Sequence, residues 1–307
     1  MGDPYDAILL IDKSEGETSF ATVGKVRRLL KVKKAGHAGT LDPFATGLLV
    51  VLLGQGTKLS PYLMQTEKNY LATVRLGVST DTQDPTGRIV ETRPVTGIDA
   101  QIIRATALDF VGKIEQVPPM YSAIKIKGRR AYELARRGIN VALEKREISI
   151  FSLKIVSIDL PDVTMDVTCS SGTYIRTLAA DLGARLGTGA HLKALRRVWS
   201  GPFSVKDAVN LKAIGSNSAE EILRDKIVPL REALPHLEEV QVDDPTAKKI
   251  RNGYQPPWPL PTIEKDAPQF RGGHMKLVND NRLVAIAHVC MQGEAEKKTL
   301  KVARVFH

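Results

Sequence analysis

The apolar positions change period several times along the chain, and each change predicts an element. Ala7–Ile11 is a short unbroken apolar run, the pattern of a buried strand. Val23, Val26, Leu29 and Leu30 then recur at helical spacing behind the hydroxyls of Thr18 and Ser19, which predicts a capped helix. Gly36–Asp42 is a glycine-punctuated loop. Gly47–Leu53 is apolar throughout, a buried element whose type its period leaves open. Tyr70, Ala72, Val74 and Leu76 alternate with Leu71, Thr73 and Arg75, the period of two of a strand. Asp84-Pro85-Thr86-Gly87 is a turn by composition, with Arg88–Glu91 as the returning strand and a helix around Asp99–Val111. Pro118-Pro119 interrupts the chain before a basic helical stretch, Ala131–Arg137. Glu147–Asp159 and Val163–Cys169 have strand character. Ser170-Ser171-Gly172 then turns the chain into a helix from Tyr174 to Leu186, stopped by Gly187.

Strands and helices mix without a regular βαβ repeat, so the expected class is α+β: a largely antiparallel sheet core with flanking helices. The texture changes around Pro229–Pro235. Pro256, Pro257, Pro259, Pro261 and Pro268 crowd a loop-rich stretch, followed by short strands at Met275–Val278, Leu283–Val289 and Leu300–Phe306. The expected division is a main domain over residues 1–235 and a small all-β domain over 236–307, near the lower size at which a domain folds alone.

No apolar run approaches the roughly 20 residues that cross a bilayer. Asp3 and Asp6 stand where a secretory leader would be basic, so a cytoplasmic location is expected. Cys169 and Cys290, far apart in sequence, exclude a disulfide scaffold. A formal charge of +10 and a pI near 9.5 favour a polyanionic partner. The charge is clustered: Lys25, Arg27, Arg28, Lys31, Lys33 and Lys34; then Lys125, Lys127, Arg129, Arg130, Arg136 and Arg137; then Lys193, Arg196 and Arg197. These clusters are either one phosphate-tracking surface or three unrelated solvated faces.

Several chemistries lack their motifs. There is no phosphate-binding loop, no dinucleotide fingerprint and no zinc-ligand spacing among the six histidines and two cysteines. Asp81-Thr82-Gln83-Asp84 lacks the later ligands of a calcium loop and reads as a capped turn. An enzyme of this composition is expected to work without metal, nucleotide or flavin. The most unusual stretch is Gly36-His37-Ala38-Gly39-Thr40-Leu41-Asp42-Pro43-Phe44-Ala45-Thr46-Gly47. Small residues precede a single carboxylate, and Pro43 holds Asp42 extended. Such a loop either presents one acid at a cleft mouth or is a turn whose Asp42 caps backbone N–H groups.

This stretch resembles the catalytic motif of the TruB family of tRNA pseudouridine synthases, in which the aspartate is the nucleophile. Four further blocks follow in the family's order: Lys68-Asn69-Tyr70 with Leu76–Gly87, Gln116–Lys125, Ser171–Leu178, and Leu195-Arg196-Arg197. The resemblance implies a pseudouridine synthase fold with a PUA-like RNA-binding tail, and isomerisation of uridine 55 in the T loop of tRNA by base flipping. It implies Asp42 as nucleophile, Tyr70 stacked on the target base, Arg176 paired with Asp42, and His37, Tyr174 and Leu195 lining the uridine pocket. No cofactor or metal is implied, and the protein is expected to act as a monomer.

The chemistry fits those residue types. Pseudouridine forms when the base N1–ribose C1′ bond breaks, the base turns, and C5 takes the place of N1. No oxidation state changes, and an ionised carboxylate can add covalently or stabilise an oxocarbenium-like sugar. A guanidinium beside a desolvated acid keeps it ionised and fixes it by a bidentate fork. Arg176, at a helix N-terminus, is badly placed for a cation unless an acid meets it. Tyr70 has a rival role as an ordinary core tyrosine. Two rival functions also remain: a non-catalytic tRNA-binding chaperone, and a nucleoside or glycoside hydrolase that would need Asp81 or Asp84 as a second carboxylate.

Overall fold

The computed structural model describes residues 5–122, 124–126, 128–139, 141–213, 219–260, 273–292 and 297–307. Its centre is a sheet whose strands run in the order Ile227–Pro229, Ala7–Lys13, Thr46–Leu53, Ala190–Ser200, Lys68–Leu76, Asp162–Cys169, Arg146–Asp159 and Gly112–Gln116. Every neighbouring pair is antiparallel except Thr46–Leu53 with Ala190–Ser200. That parallel contact is confined to Arg196 opposite Thr46 and Arg197 opposite Gly47. The sheet is therefore two antiparallel halves joined at a narrow seam. The chain reaches the seam directly after the Asp42 loop.

The local rules explain most elements. Thr18 caps the helix Ser19–Leu29, its hydroxyl accepting from the Ala21 N–H at 3.0 Å. Asp99 caps Ala100–Leu108 in the same way through Ile102. The run at Gly47–Leu53 is a strand buried on both faces, between Val23, Val26 and Leu30 on one side and Leu59, Leu63 and Phe203 on the other. The alternation at Tyr70–Leu76 buries Tyr70, Ala72, Val74 and Leu76 in the core beneath helix Ile175–Arg185.

Two departures from the sequence expectations bear on the site. Ala35–His37 is a short strand paired with Leu53–Val51, so the loop begins at Ala38 rather than Gly36. Ala190–Ser200, expected only as a basic cluster, is a central strand.

A second sheet is ordered Glu239–Gln241, Gly273–Asn279, Arg282–Gln292 and Lys297–Val305. It docks on the first. Leu283, Ile286 and Phe306 share a buried cluster with Ile8, Leu48 and Leu230. The Gln55 amide donates to the His307 carbonyl at 2.7 Å and accepts from its N–H at 2.8 Å, and Lys58 donates to the Val305 carbonyl. Pro256 and Pro257 border the helix Asp244–Arg251, whereas Pro261 and Pro268 lie outside the described residues. The architecture is α+β with a small C-terminal all-β sheet, the class expected from the alternation of patterns, and helix Asp244–Arg251 is added beside that sheet.

Candidate active site

The loop from Ala38 to Ala45 hangs between strand Ala35–His37 and the seam, and backbone groups hold it at each end. Ala38 donates to the Val50 carbonyl at 2.9 Å. Ser19 clasps Leu41 twice, accepting from its N–H at 2.9 Å and donating to its carbonyl at 3.1 Å. The Pro43 carbonyl accepts from the Gly16 N–H at 2.8 Å and from the Lys13 ammonium at 3.3 Å. Lys13 is buried and also donates to the Ser14 and Glu17 carbonyls, and its desolvation brings its pKa down to about 8.

Arg197 holds the other side. It is 1% exposed, and its guanidinium donates to the carbonyls of Leu48 at 2.7 Å and Gly39 at 3.1 Å, with Thr40 at 3.5 Å. Gly47 lets the loop come this close. Its φ is +96°, and a Cβ there would run into the backbone of Arg197 across the seam.

The acid so presented meets Arg176, which lies in the first turn of helix Ile175–Arg185 and is 5% exposed. Arg176 Nε is 2.9 Å from one Asp42 oxygen and Nη2 is 3.4 Å from the other. Nη2 also donates to the Tyr121 carbonyl at 2.8 Å, and Nη1 donates to the Thr82 carbonyl at 3.1 Å and to Asp84 Oδ2 at 3.4 Å. The four Nη hydrogens thus have acceptors, and Nε faces Asp42 as an ion pair. Asp84 Oδ1 is taken by the hydroxyls of Thr82 at 2.7 Å and Thr86 at 2.6 Å, and by the Thr86 N–H at 3.0 Å. The turn expected at Asp84–Gly87 is present, and it also carries a buried carboxylate onto Arg176. Asp42 is the open member of this triad, with 33% of its side chain accessible against 7% for Asp84.

Burial raises the Asp42 pKa above the usual carboxylate value. Arg176 pulls it back, Asp84 pushes it further up, and Lys13 opposes that push. Tyr70 is 7% exposed and packs in one cluster with Leu41, Phe44, Ile175 and Leu195. Burial raises its pKa, partly offset by the adjacent Arg197. Leu195 is buried on the neighbouring strand, opposite Ala72. Tyr174 precedes helix Ile175–Arg185 and is fixed by Gln116, which accepts from its N–H at 2.8 Å and donates to its carbonyl at 3.0 Å. Its phenol is raised by burial.

His37 ends its strand on the Arg197 side of the site, and its pKa is lowered by burial and by Arg197. His37 Nδ1 is buried and has no hydrogen-bond partner among the described residues. Asp42 and Arg176 thus lie within electrostatic range of Tyr174, Asp42 also of Tyr70, and Tyr70 packs with Leu195, while His37 lies near Arg197.

The basic clusters divide. Arg27, Arg28, Lys31, Lys33 and Lys34 are exposed. Among the second cluster's described side chains, Arg129 and Arg137 are exposed, while Lys127 lies outside the described residues. The third cluster is corrected. Arg197 is interior, Arg196 forms a two-bond pair with Asp12 at 2.9 and 2.8 Å, and Lys193 pairs with Asp162 at 2.6 Å. Those cations are used within the fold. Among the described residues no His, Cys, Asp and Glu group is arranged to hold a metal ion, and no helix is long and apolar enough to cross a membrane.

Residues 27–175 match the model of the TruB family pseudouridylate synthase N-terminal domain, and residues 176–235 match that of the tRNA pseudouridylate synthase B C-terminal domain. A tRNA pseudouridine synthase B of Geobacter sulfurreducens is 42% identical over 309 residues, spanning 98% of this chain and all of that protein. The chain belongs to the TruB family of pseudouridylate synthases.

A second TruB relative, from Clostridium kluyveri, is 48% identical over 81% of this chain and 84% of its own length. Among solved structures, a chain of a Cbf5–Nop10–Gar1 complex superposes with a TM-score of 0.75 at 26% identity, covering 99% of this TruB-family chain and 86% of that one. A chain of an H/ACA ribonucleoprotein bound to a substrate RNA containing 2′-deoxyuridine superposes at 0.72 and 25% identity, covering 98% and 85%. The TruB-family chain therefore has the pseudouridine synthase fold with a separate small C-terminal sheet.

Proposed function

We propose that this protein converts uridine 55 in the T loop of tRNA to pseudouridine, with Asp42 as the nucleophile. The observation that carries this reading is an accessible carboxylate, held by a buried guanidinium, near Tyr70, Tyr174 and the Leu195 that packs with Tyr70. Family membership supports the reaction class. The position in tRNA and the residue roles are our inference.

The target uridine leaves its stack, at a cost of a few kcal/mol, and enters the site against Tyr70. A base–aromatic stack returns about 1–3 kcal/mol. Ionised Asp42 then breaks or replaces the N1–C1′ bond. Attack on C1′, addition at C6 and a glycal route all require the same ionised oxygen, which Arg176 stabilises against its burial. The base turns within the pocket, C5 bonds to C1′, the C5 proton leaves, and the freed N1 takes up a proton. We assign the carrying of the C5 proton to the Tyr70 hydroxyl; burial keeps it protonated, so it passes its own proton on as it accepts. The proton lost from C5 is matched by one gained at N1, so composition and oxidation state are unchanged and the cycle draws on no cofactor. His37 flanks the everted base. Residues 1–235 form the catalytic domain, 236–307 a PUA-like RNA-binding domain, and the enzyme works as a cytoplasmic monomer.

The test is incubation of the purified chain with an unmodified tRNA transcript, without added metal or nucleotide, followed by position-resolved mapping. Expected is an unchanged mass with a carbodiimide-reactive nucleotide at position 55. Free uracil would instead identify a hydrolase, and tight binding without product would identify a chaperone.

A further inference from the structure

Helix Ser19–Leu29 carries a feature that the uridine pocket does not use. Phe20 is 83% exposed, more than any other large apolar side chain among the described residues. It is not a remote surface residue. Its neighbour Ser19 clasps Leu41 through both backbone groups, one residue before Asp42. Helical spacing puts Phe20, Gly24 and Arg27 on one stripe, because positions three and four apart share a face, and the exposed Lys31 follows just past the helix end. Gly24 meets only the tip of Arg28, at 3.9 Å, so the space above it is open. A glycine inside a helix is destabilising, and close approach of another backbone is one reason to keep it. No acidic residue occurs from Ser19 to Lys34, while Arg27, Arg28, Lys31, Lys33 and Lys34 are all exposed.

We infer that this stripe is a second RNA contact: Phe20 stacks on an unpaired base next to the everted uridine, and Arg27 and Lys31 hold the phosphates that follow. The inference rests on the reading of the substrate as tRNA. An exposed aromatic beside a cationic track is the arrangement that binds single-stranded nucleic acid. It fits a loop rather than a paired stem, because a paired stem buries its base faces. The clasp on Leu41 makes the platform rigid relative to Asp42. Stacking there sets the distance between the reacting acid and the neighbouring nucleotide.

The experiment compares wild type, Phe20→Ala and Phe20→Trp in two measurements: affinity for an unmodified tRNA transcript and for a fully paired RNA duplex of the same stem, and rate of pseudouridine formation. Expected for Phe20→Ala is a loss of tRNA affinity of about 5- to 150-fold, the range of one base–aromatic stack. Phe20→Trp should restore it, with duplex affinity unchanged in both and melting temperature undiminished. Arg27→Ala and Lys31→Ala should each flatten the slope of log affinity against log salt by about 0.7. Unchanged tRNA affinity in Phe20→Ala, or an equal loss for duplex and tRNA, overturns the inference. Absence of pseudouridine with the wild-type protein would remove the isomerase reading, while the affinity comparison would still decide this one.

Discussion

Arg197→Lys separates two meanings of the same residue. As one of three clustered cations it reads as a phosphate contact. In the structure it is an interior clamp bonded to the carbonyls of Leu48 and Gly39. Lysine keeps the charge, but its single nitrogen cannot span acceptors served by Nε and Nη2. One charge-assisted bond is therefore lost, at about 1.5–3 kcal/mol. The contact to Thr40 at 3.5 Å is too long to add to this sum. A loss of about 1.5–3 kcal/mol lowers the melting temperature by about 3–12 °C. The Gly39 end of the loop slackens, so kcat should fall by about tenfold or more, since small misplacements of reacting groups are costly. Affinity for tRNA should change little. The assays are thermal unfolding, single-turnover pseudouridine formation, and tRNA binding across a salt series. A lost phosphate contact would instead flatten the salt slope by about 1. A flattened slope with unchanged melting temperature and kcat refutes the clamp.

Two other substitutions probe the acid and its partner. Asp42→Asn should bind tRNA normally and form no product; turnover by this variant would remove Asp42 from the mechanism. The same variant should be more stable than wild type at neutral pH. Because the folded pKa of Asp42 is raised, the fold disfavours its ionised form, and wild-type stability falls as pH rises from the ordinary 3.8 toward that raised value. The gain should therefore vanish on acidification through this window, which urea titrations at several pH values would follow. Arg176→Lys should depress kcat far more than affinity and move the acidic limb of the rate profile to higher pH, because the largest opposing influence on Asp42 is weakened. Equal losses of kcat and affinity would mark Arg176 as a phosphate contact.

The sequence was legible wherever one period ran unbroken. The alternation at Tyr70–Leu76 and the spacing behind Thr18 translate directly into a strand and a capped helix. Strand Ala190–Ser200 was hidden because its register shifts between Leu192 and Ala194, and again between Arg197 and Trp199. Each shift resets which side chains face inward, and a bulge erases the period-two signal. Arg197 consequently falls on the buried face while looking, in sequence, like part of a basic surface. Asp84 was masked differently. Its turn chemistry is real, and nothing local reveals that the free oxygen meets Arg176, 92 residues away. Arg176 is 134 residues from Asp42, and only the family resemblance placed them together beforehand. The Ser19 clasp left a faint signal. Thr18 already supplies the N-cap, so the adjacent hydroxyl was free for another task.

Asp84 raises the question of why a second carboxylate should share the guanidinium. One Arg176 between two acids leaves the triad with a formal charge of −1, and the excess falls on Asp42 because both Asp84 oxygens are occupied. That is a poor arrangement for the resting protein. It suits a sugar carrying developing positive charge, because stabilisation that appears only in the transition state accelerates the reaction. Asp84→Asn tests this trade. Removing its charge should lower the Asp42 pKa, since Asp84 pushes it up, and the acidic limb of the rate profile should move to lower pH. If Asp84 only neutralised Arg176, this better-ionised Asp42 would leave kcat unharmed. Because Asp84 also anchors Nη1 of Arg176, kcat at neutral pH should instead fall, while tRNA affinity holds. An acidic limb that moves upward, or a kcat at the wild-type level, would show that the two carboxylates do not act through their common arginine.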